Sequence, residues 1–525
     1  MLQQEMTSPL NDGPTMAQLY RGAFRAFGPR EALVGGGVRM SYAELAAQCH
    51  RLVRAFEQAG LAPKDGLVML GSNRPLCVAV QIAAHLMGLV YTPLHPLGSQ
   101  QDHAFVLKDV GAKVLVVDES RHAPRGRALA AEDIVPLVFT LGPADFGTDL
   151  AAASRSCEDS ETELRPCFQD VVRITYSGGT TGSPKGIVHT HRTPVTTTLQ
   201  QLATWEWPRQ VRYLATTPIS HAAGALVVTT FIQGGTVFLL DKYTPEECLA
   251  LIAREKINTT FMVPTQIYGL LDSPELDRHD LGSLELVVYG AAPMAPARLR
   301  QALERMGPIF AQVYAQSEAP MTVCYLRRDE HDLSRPHLLA SCGRVVPGNQ
   351  VKLLDGEHRE VAVGEVGEVC VRGPLCMAGY LNRPEETQKA FAGGWLHTGD
   401  MGRMDAEGFL YLVDRAKDMI ISGGFNVYST EVEACLAMHP AVAQSAVIGV
   451  PHEKWGEAVT AVVVLHPGQA SDADALAAFV TQRKGVVMAP KRVEFVDALP
   501  MTPLGKVDKK QLRSRYWDSQ DRQIG

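Results

Sequence analysis

The sequence predicts an α/β fold with a large N-terminal part and a small α+β C-terminal part, and three observations carry that expectation. Up to about residue 340, short runs rich in Val, Leu and Ile alternate with helical stretches. That is the pattern of mostly parallel sheets covered by helices on both faces. Beyond it Gly, Pro and alternating strands become dense, as in Gly364-Glu-Val-Gly-Glu-Val-Cys-Val-Arg-Gly373, which reads as hairpins. After Asp414-Arg415 come about 110 residues of mixed helix and strand pattern, enough for a small domain. The expected division is therefore 1–413 and 414–525.

In chain order, residues 42–58 read as a helix and 114–117 as a buried strand. Residues 119–165 are polar and turn-rich and read as surface loop. Residues 171–175, 236–240 and 284–289 are continuous apolar runs, as buried parallel strands require. Residues 244–256 and 295–306 read as helices. The former starts Thr244-Pro245-Glu246-Glu247, a cap, a proline in the first turn and two acids at the positive dipole end. Residues 75–101 and 213–240 lack charge and exceed the roughly 20 residues that span a bilayer. Each is interrupted, the first by His85, Gly88, Pro93 and Pro96, the second by Pro218, His221, Gly224 and Gly234, so both are expected to be buried α/β elements.

Composition excludes several classes. With 46% hydrophobic and 20% charged residues the 525-residue chain can bury large cores and is not disordered. Fifty basic residues face 57 acidic ones, so the basic excess of a nucleic-acid binder is missing. Ten cysteines without CxxC spacing read as reduced thiols. The opening MLQQEMTSPLNDGP has no basic and apolar leader, and a cytoplasmic location is expected.

The strongest local signal is Thr175-Tyr-Ser-Gly-Gly-Thr-Thr-Gly-Ser-Pro-Lys-Gly186. A buried strand enters a loop of glycines, hydroxyls and one lysine. Backbone N–H groups, hydroxyl donors and a point charge together suit a polyphosphate. It is not a Walker A loop, because Gly186 follows Lys185 where Ser or Thr should, and it is not GxGxxG. Alone, it also reads as a plain flexible loop.

This stretch resembles the phosphate-binding signature of the adenylate-forming superfamily: acyl-CoA synthetases, peptide-synthetase adenylation domains and luciferases. Six further segments resemble that family's motifs in the same order. They are Pro218-Ile-Ser-His221-Ala-Ala-Gly224, Tyr289-Gly-Ala-Ala-Pro293, Tyr314-Ala-Gln-Ser-Glu318, His397-Thr-Gly-Asp400, Asp414 to Tyr428, and Pro500-Met-Thr-Pro-Leu-Gly-Lys506. The resemblance covers residues 171 to about 510, and 30–110 fit the usual N-terminal portion. It implies a large domain of parallel sheets plus a distorted β-barrel, and a small mobile C-terminal domain. It also implies an acid–thiol ligase that joins a carboxylic acid to AMP and then to a thiol.

By that resemblance Thr180, Thr181 and Lys185 handle the ATP phosphates, and Glu318 holds Mg²⁺, a hard cation suited to carboxylate and phosphate oxygens. Tyr314 lies against the adenine, with Gly290, Ala291 and Ala292 on its other side. Asp400 accepts from the ribose hydroxyls, Ser317 keeps a hydroxyl for the magnesium site or the phosphates, and Arg415 reaches the ribose or a phosphate. Lys506 bridges the carboxylate and the α-phosphate as charge builds, with His221 beside the reacting acid. For thioester formation the small domain swings about Asp414, and Gly423, Gly424 and Phe425 line a narrow CoA tunnel. Taken singly, each residue also has a structural reading as a turn, core or surface group. The sequence departs from the common pattern at Gly178 (often Ser), Ala315 and Ser317 (often Gly and Thr) and Ser429 (often Pro); little effect is expected from the last.

The resemblance places the acyl pocket at His221, Ala222, Gly224, Ala225, Ala315 and Gln316. Amino-acid-activating relatives carry an Asp where Ala222 stands, and burying an unpaired ammonium is costly, so an α-amino acid is not expected. Small side chains suit an apolar acid: fatty, aromatic or alicyclic. CoA is the expected acceptor, with a carrier protein as the rival within the class. A catalytically silent ATP-binding protein is the rival outside it, opposed by the intact Lys185, Glu318, Asp400, Arg415 and Lys506. The expected assembly is a monomer or homodimer. His189-Thr-His191 shows no further metal ligands, and Arg483, Lys484, Lys491 and Arg492 read as a solvated face or as a contact for the CoA 3′-phosphate.

Overall fold

The computed structural model describes residues 13–176, 184–415, 418–422, 425–452, 455–502 and 506–517. Two mostly parallel sheets form the large part. The first has nine strands, ordered Arg344–Val345, Ala319–Leu326, Phe310–Gln316, Leu286–Tyr289, Thr259–Met262, Arg212–Ala215, Thr236–Leu239, Glu31–Gly35 and Val38–Ser41. The second has eight, ordered Gly379–Tyr380, Gly186–Thr190, Val171–Tyr176, Val90–Pro93, Gly66–Leu70, Val114–Val117, Leu137–Thr140 and Thr148–Asp149. Antiparallel pairing is confined to their ends. The largest apolar cluster lies between them. It takes Leu33 and Val237 from one sheet, Leu67 and Val114 from the other, and Tyr20, Phe56 and Phe231 from helices.

The strongest sequence signals match the elements closely. Helix Tyr42–Gln58 and strand Val114–Val117 fall as expected. Helix Pro245–Glu255 starts after Thr244, whose hydroxyl accepts from the Glu247 N–H at 3.2 Å. The two uncharged stretches resolve into helix–strand units, Pro75–Met87 with Val90–Pro93, and Ala222–Ile232 with Thr236–Leu239. Among the described residues no helix is long and apolar enough to cross a membrane. All ten cysteines are free thiols, and all but Cys167 are buried.

Two expectations need correction. Residues 119–165 are not loop throughout: they contain helix Glu119–Ala131, strands Leu137–Thr140 and Thr148–Asp149, and helix Leu150–Arg155. Pro124 and the non-helical His122 disguise the first helix, which packs Gly126 and Leu129 against the sheet. The distorted barrel is also not closed among the described residues. Strands Gln350–Leu354, Val366–Arg372, Leu396–Met404 and Leu410–Arg415 form an open antiparallel sheet. Its inner residues, such as Val369 and Leu396, pack on Ile187, Tyr314 and Val323 of the large sheets, so burial does not require closure.

The C-terminal part is α+β, as expected. Strands Phe425–Val427, Ile420–Ser422, Gly456–Leu465, Val442–His452 and Arg492–Phe495 form one sheet, the last parallel to Gly456–Leu465. Helices Ser429–Leu436 and Ala473–Lys484 cover it through Val432, Leu436, Leu476 and Val480. Asp414 sits in the last strand of the preceding sheet, opposite Met401, and the new sheet begins at Ile420.

Candidate active site

Strand Phe310–Gln316 ends at the top of the nine-stranded sheet, and strand Leu396–Met404 crosses beside it. There the Tyr314 hydroxyl donates to Asp400 Oδ2 at 2.8 Å, with both residues buried. Burial and the neighbouring Asp400 carboxylate push the Tyr314 phenol far above its ordinary range, so it stays a donor. Arg415 pairs with Asp400 across the antiparallel ladder. Glu368 fixes the turn that delivers Asp400: one oxygen accepts from the Gly399 N–H at 2.9 Å and the other contacts His397 Nδ1 at 2.7 Å. Glu368, Cys370 and His397 are close enough to hold a metal. However, burial raises the Cys370 thiol to about 12, which disfavours the thiolate that ligation needs.

Next to this lies a second group. Tyr380 donates its hydroxyl to Glu318 Oε1 at 3.0 Å, and Lys185 Nζ stands 5.3 Å from the centre of the Tyr380 ring. Lys185 is ion-paired with Glu386, which also meets Arg383 at 3.4 Å. The short strand Gly379–Tyr380 brings this about by pairing with Gly186–Thr190, the strand that follows the phosphate-loop sequence. Glu318 can offer carboxylate oxygen to a hard cation, and Lys185 can offer charge to an anion.

In the loop after strand Leu286–Tyr289, Ala291 holds a left-handed φ of 66°. A side chain rarely adopts that conformation without a local reason. Gly290 is tight against the neighbouring strand, where a Cβ would come within 2.7 Å of the Val313 carbonyl. Ala292 is half-buried, while Ala291 and Ser317 are exposed.

His221 precedes helix Ala222–Ile232. Its Nδ1 is 2.8 Å from Ser220 Oγ, and its ring lies edge-on to His95 at 4.6 Å between centres. Burial first, then the charges of His95, Arg173 and Lys506, hold His221 down at about 3, so it is a neutral imidazole at pH 7. The Lys506 charge thus reaches His221 from the small part of the chain. The turn of Lys506 is closed on Thr502, whose N–H donates to the Lys506 carbonyl at 2.7 Å. Ala222 and Ala225 are half-buried against the main core. Gly224 is there for a different reason than an open pocket: a Cβ would stand 1.9 Å from the Ile219 carbonyl. Ala315 and Gln316 are half-buried, and Gln316 Nε2 has no partner among the described residues.

Thr180, Thr181, Gly423 and Gly424 lie outside the described residues, as does the side chain of Arg415. Phe425 is 60% exposed, opposite Ser422 in its hairpin. Two of the four basic residues near the C-terminal helix are ion-paired, Lys484 with Glu431 at 3.0 Å and Arg492 with Glu494 at 2.5 Å, as on a solvated face.

Sequence reasoning passed over Tyr380, Glu386, Glu368 and Arg173. Only Arg173 carried a local signal: a lone cation within the otherwise uncharged strand Val171–Tyr176. Tyr380 and Glu386 reach Lys185 through long-range strand pairing, which no local pattern announces.

A family model described as AMP-binding enzyme matches residues 21–381, and its C-terminal domain model matches 431–506. The chain belongs to the AMP-binding enzyme family. A medium/long-chain-fatty-acid–CoA ligase of Mycobacterium tuberculosis is 44% identical over 100% of this chain and 94% of its own. A feruloyl-CoA synthase of an Amycolatopsis species is 36% identical over 92% and 95%. Among solved structures, an amide bond synthetase from Marinactinospora thermotolerans superposes with a TM-score of 0.88 at 34% identity, covering 96% of this AMP-binding enzyme and 100% of that chain.

Proposed function

We propose that this AMP-binding enzyme is an AMP-forming acid–CoA ligase that activates a carboxylic acid of apolar body, fatty, aromatic or alicyclic, and passes the acyl group to the thiol of CoA. The observation that carries the reading is the Tyr380 bridge, which binds Glu318 and stacks near Lys185. It sets the Glu318 carboxylate beside Lys185, while Tyr314 and Asp400 pair nearby, an arrangement that would suit a metal, phosphates and a nucleoside.

In the first half-reaction the acid's carboxylate attacks the α-phosphorus and pyrophosphate leaves. Two anions must meet, so fixed positive charge and orientation dominate the catalysis. Lys185, with Thr180 and Thr181 of the loop, takes the phosphates. Glu318 would hold Mg²⁺, which when bound would supply neutralising charge to the phosphates. Asp400, oriented by Tyr314 and by the Glu368-held turn, accepts from the ribose, with Arg415 alongside. Gly290 to Ala292 line the base. Neutral His221 borders the acid, and Lys506 faces it as charge builds.

In the second half-reaction the CoA sulfur attacks the acyl carbonyl and AMP leaves. The small domain turns about Asp414, withdrawing Lys506 and presenting Gly423, Gly424 and Phe425.

Pyrophosphate release across a panel of acids, each with and without CoA, tests this. CoA-dependent turnover is expected. A single CoA-independent burst would place the acyl group on a carrier-protein thiol instead. No release with any acid, together with no ATP binding, would refute the reading.

A further inference from the structure

Three adjacent strands of the eight-stranded sheet place Tyr91, Arg173 and His189 directly opposite one another, so their side chains share one face. His85 packs over this row from helix Pro75–Met87, its ring 5.9 Å from that of Tyr91. Five polar atoms here are buried without a hydrogen-bond partner among the described residues: Arg173 Nε, Tyr91 Oη, His189 Nδ1 and both ring nitrogens of His85. No carboxylate pairs with Arg173 among those residues. Buried polar groups are nearly always satisfied, and a largely buried cation without a counter-ion is rarer still.

The row touches both walls of the expected acyl pocket. Arg173 Nη2 donates to the Ser220 carbonyl at 2.5 Å, one residue before His221. His189 lies beside the Ser317 backbone, one residue after Gln316, whose own Nε2 is unpartnered among the described residues. The row therefore lies between the segments that carry His221 and Gln316, and part of Arg173 remains accessible.

We infer that this row is a second recognition point of the acyl site, where Arg173 receives an anionic oxygen carried on the acyl part of the substrate, supported by Tyr91 and His85. The preferred acid would then carry a second carboxylate on an otherwise apolar body. The inference rests on the acid-activating function proposed above and narrows its substrate class. Donors aimed at an oxygen reject the analogue that lacks it, because they are then left unpaired.

The test compares kcat/KM for pyrophosphate release with chain-matched pairs: hexanoate with adipate, octanoate with suberate, decanoate with sebacate. The expected result is at least a tenfold preference for the diacid at one chain length. Arg173→Met should abolish that preference and improve the monoacid, while Arg173→Lys should keep part of it. The wild-type comparison does not depend on a variant folding, and a thermal melt with ATP checks each variant. Monoacids preferred at every length, or Arg173→Met lowering both members of a pair alike, would overturn the inference and leave the ligase function standing. No release with any acid, together with no ATP binding, would overturn the function itself, and the inference with it.

Discussion

The backbone N–H of Ser429 donates to Asp414 Oδ2 at 2.5 Å, and the Ser429 hydroxyl accepts from Lys509 Nζ at 2.7 Å. Lys509 also meets Glu433 at 2.8 Å. The proposed hinge residue is thus bonded to the first turn of the small domain's helix. Proline, which the family resemblance leads one to expect at this position, has no N–H to give. Ser429 therefore gives Asp414 a hydrogen bond that proline at this position would lack.

Ser429→Pro should remove this bond. A hydrogen bond to a charged acceptor is worth about 1.5–3 kcal/mol, and proline at a helix start returns roughly 0.4–1 kcal/mol. A net loss of about 1–2 kcal/mol is expected, with thioester formation gaining several-fold on adenylation in single-turnover assays. Ser429→Ala keeps the backbone donor and should change that ratio less. An unchanged ratio in both variants would mean that the bond does not restrain the hinge.

Lys506→Ala should cut adenylate formation by roughly 10²–10³-fold, the usual loss when one stabiliser of developing charge is removed. Thioester formation from supplied acyl-adenylate should be spared. Equal loss of both steps would contradict a two-position small domain.

Tyr314→Phe deletes the donor to Asp400 while keeping the ring. KM for ATP should rise roughly tenfold or more, in line with the worth of a bond to a carboxylate, while kcat changes little. A normal KM for ATP would show that Asp400 needs no help from Tyr314.

Stability should fall in acid. Burial holds His189 and His221 at about 3 and His95, His191 and His331 at about 4, each below an unfolded value near 6.5. The unfolded chain therefore binds more protons below pH 6.5, and the stabilisation present above that pH is lost as pH drops toward 4 and 3. Each histidine contributes up to about 1.4 kcal/mol per pH unit in that window. Urea unfolding at pH 7.5, 6.5, 5.5 and 4.5 would show the slope, and a flat profile from 6.5 to 4.5 would contradict it.

Long periodic or wholly apolar segments were legible from sequence because local physics alone specifies them. Helix Tyr42–Gln58 has its Ser41 cap and Glu44 box, and strand Val114–Val117 is buried at every residue. The motif residues around Tyr314, Glu318 and Asp400 were legible through their order along the chain. Helix Glu119–Ala131 was not, because Pro124 and polar residues mask a helix held by packing. The Gly224 contact with Ile219, and the pairing of Gly379–Tyr380 with Ile187 and Val188, depend on chain segments meeting in space. No composition or spacing encodes such meetings.

Glu386 lies against Lys185 much as a phosphate oxygen would, so this corner carries its own counter-anion. Under the proposed roles, triphosphate arrival is an exchange of one anion for another, not the filling of a bare positive site. The displaced carboxylate belongs to helix Pro384–Ala390, which follows directly on Tyr380, the partner of Glu318. Under those roles, occupancy at the loop would be linked through this helix to the posture of Glu318, and nucleotide engagement would set the order in which the two halves of the site become ready.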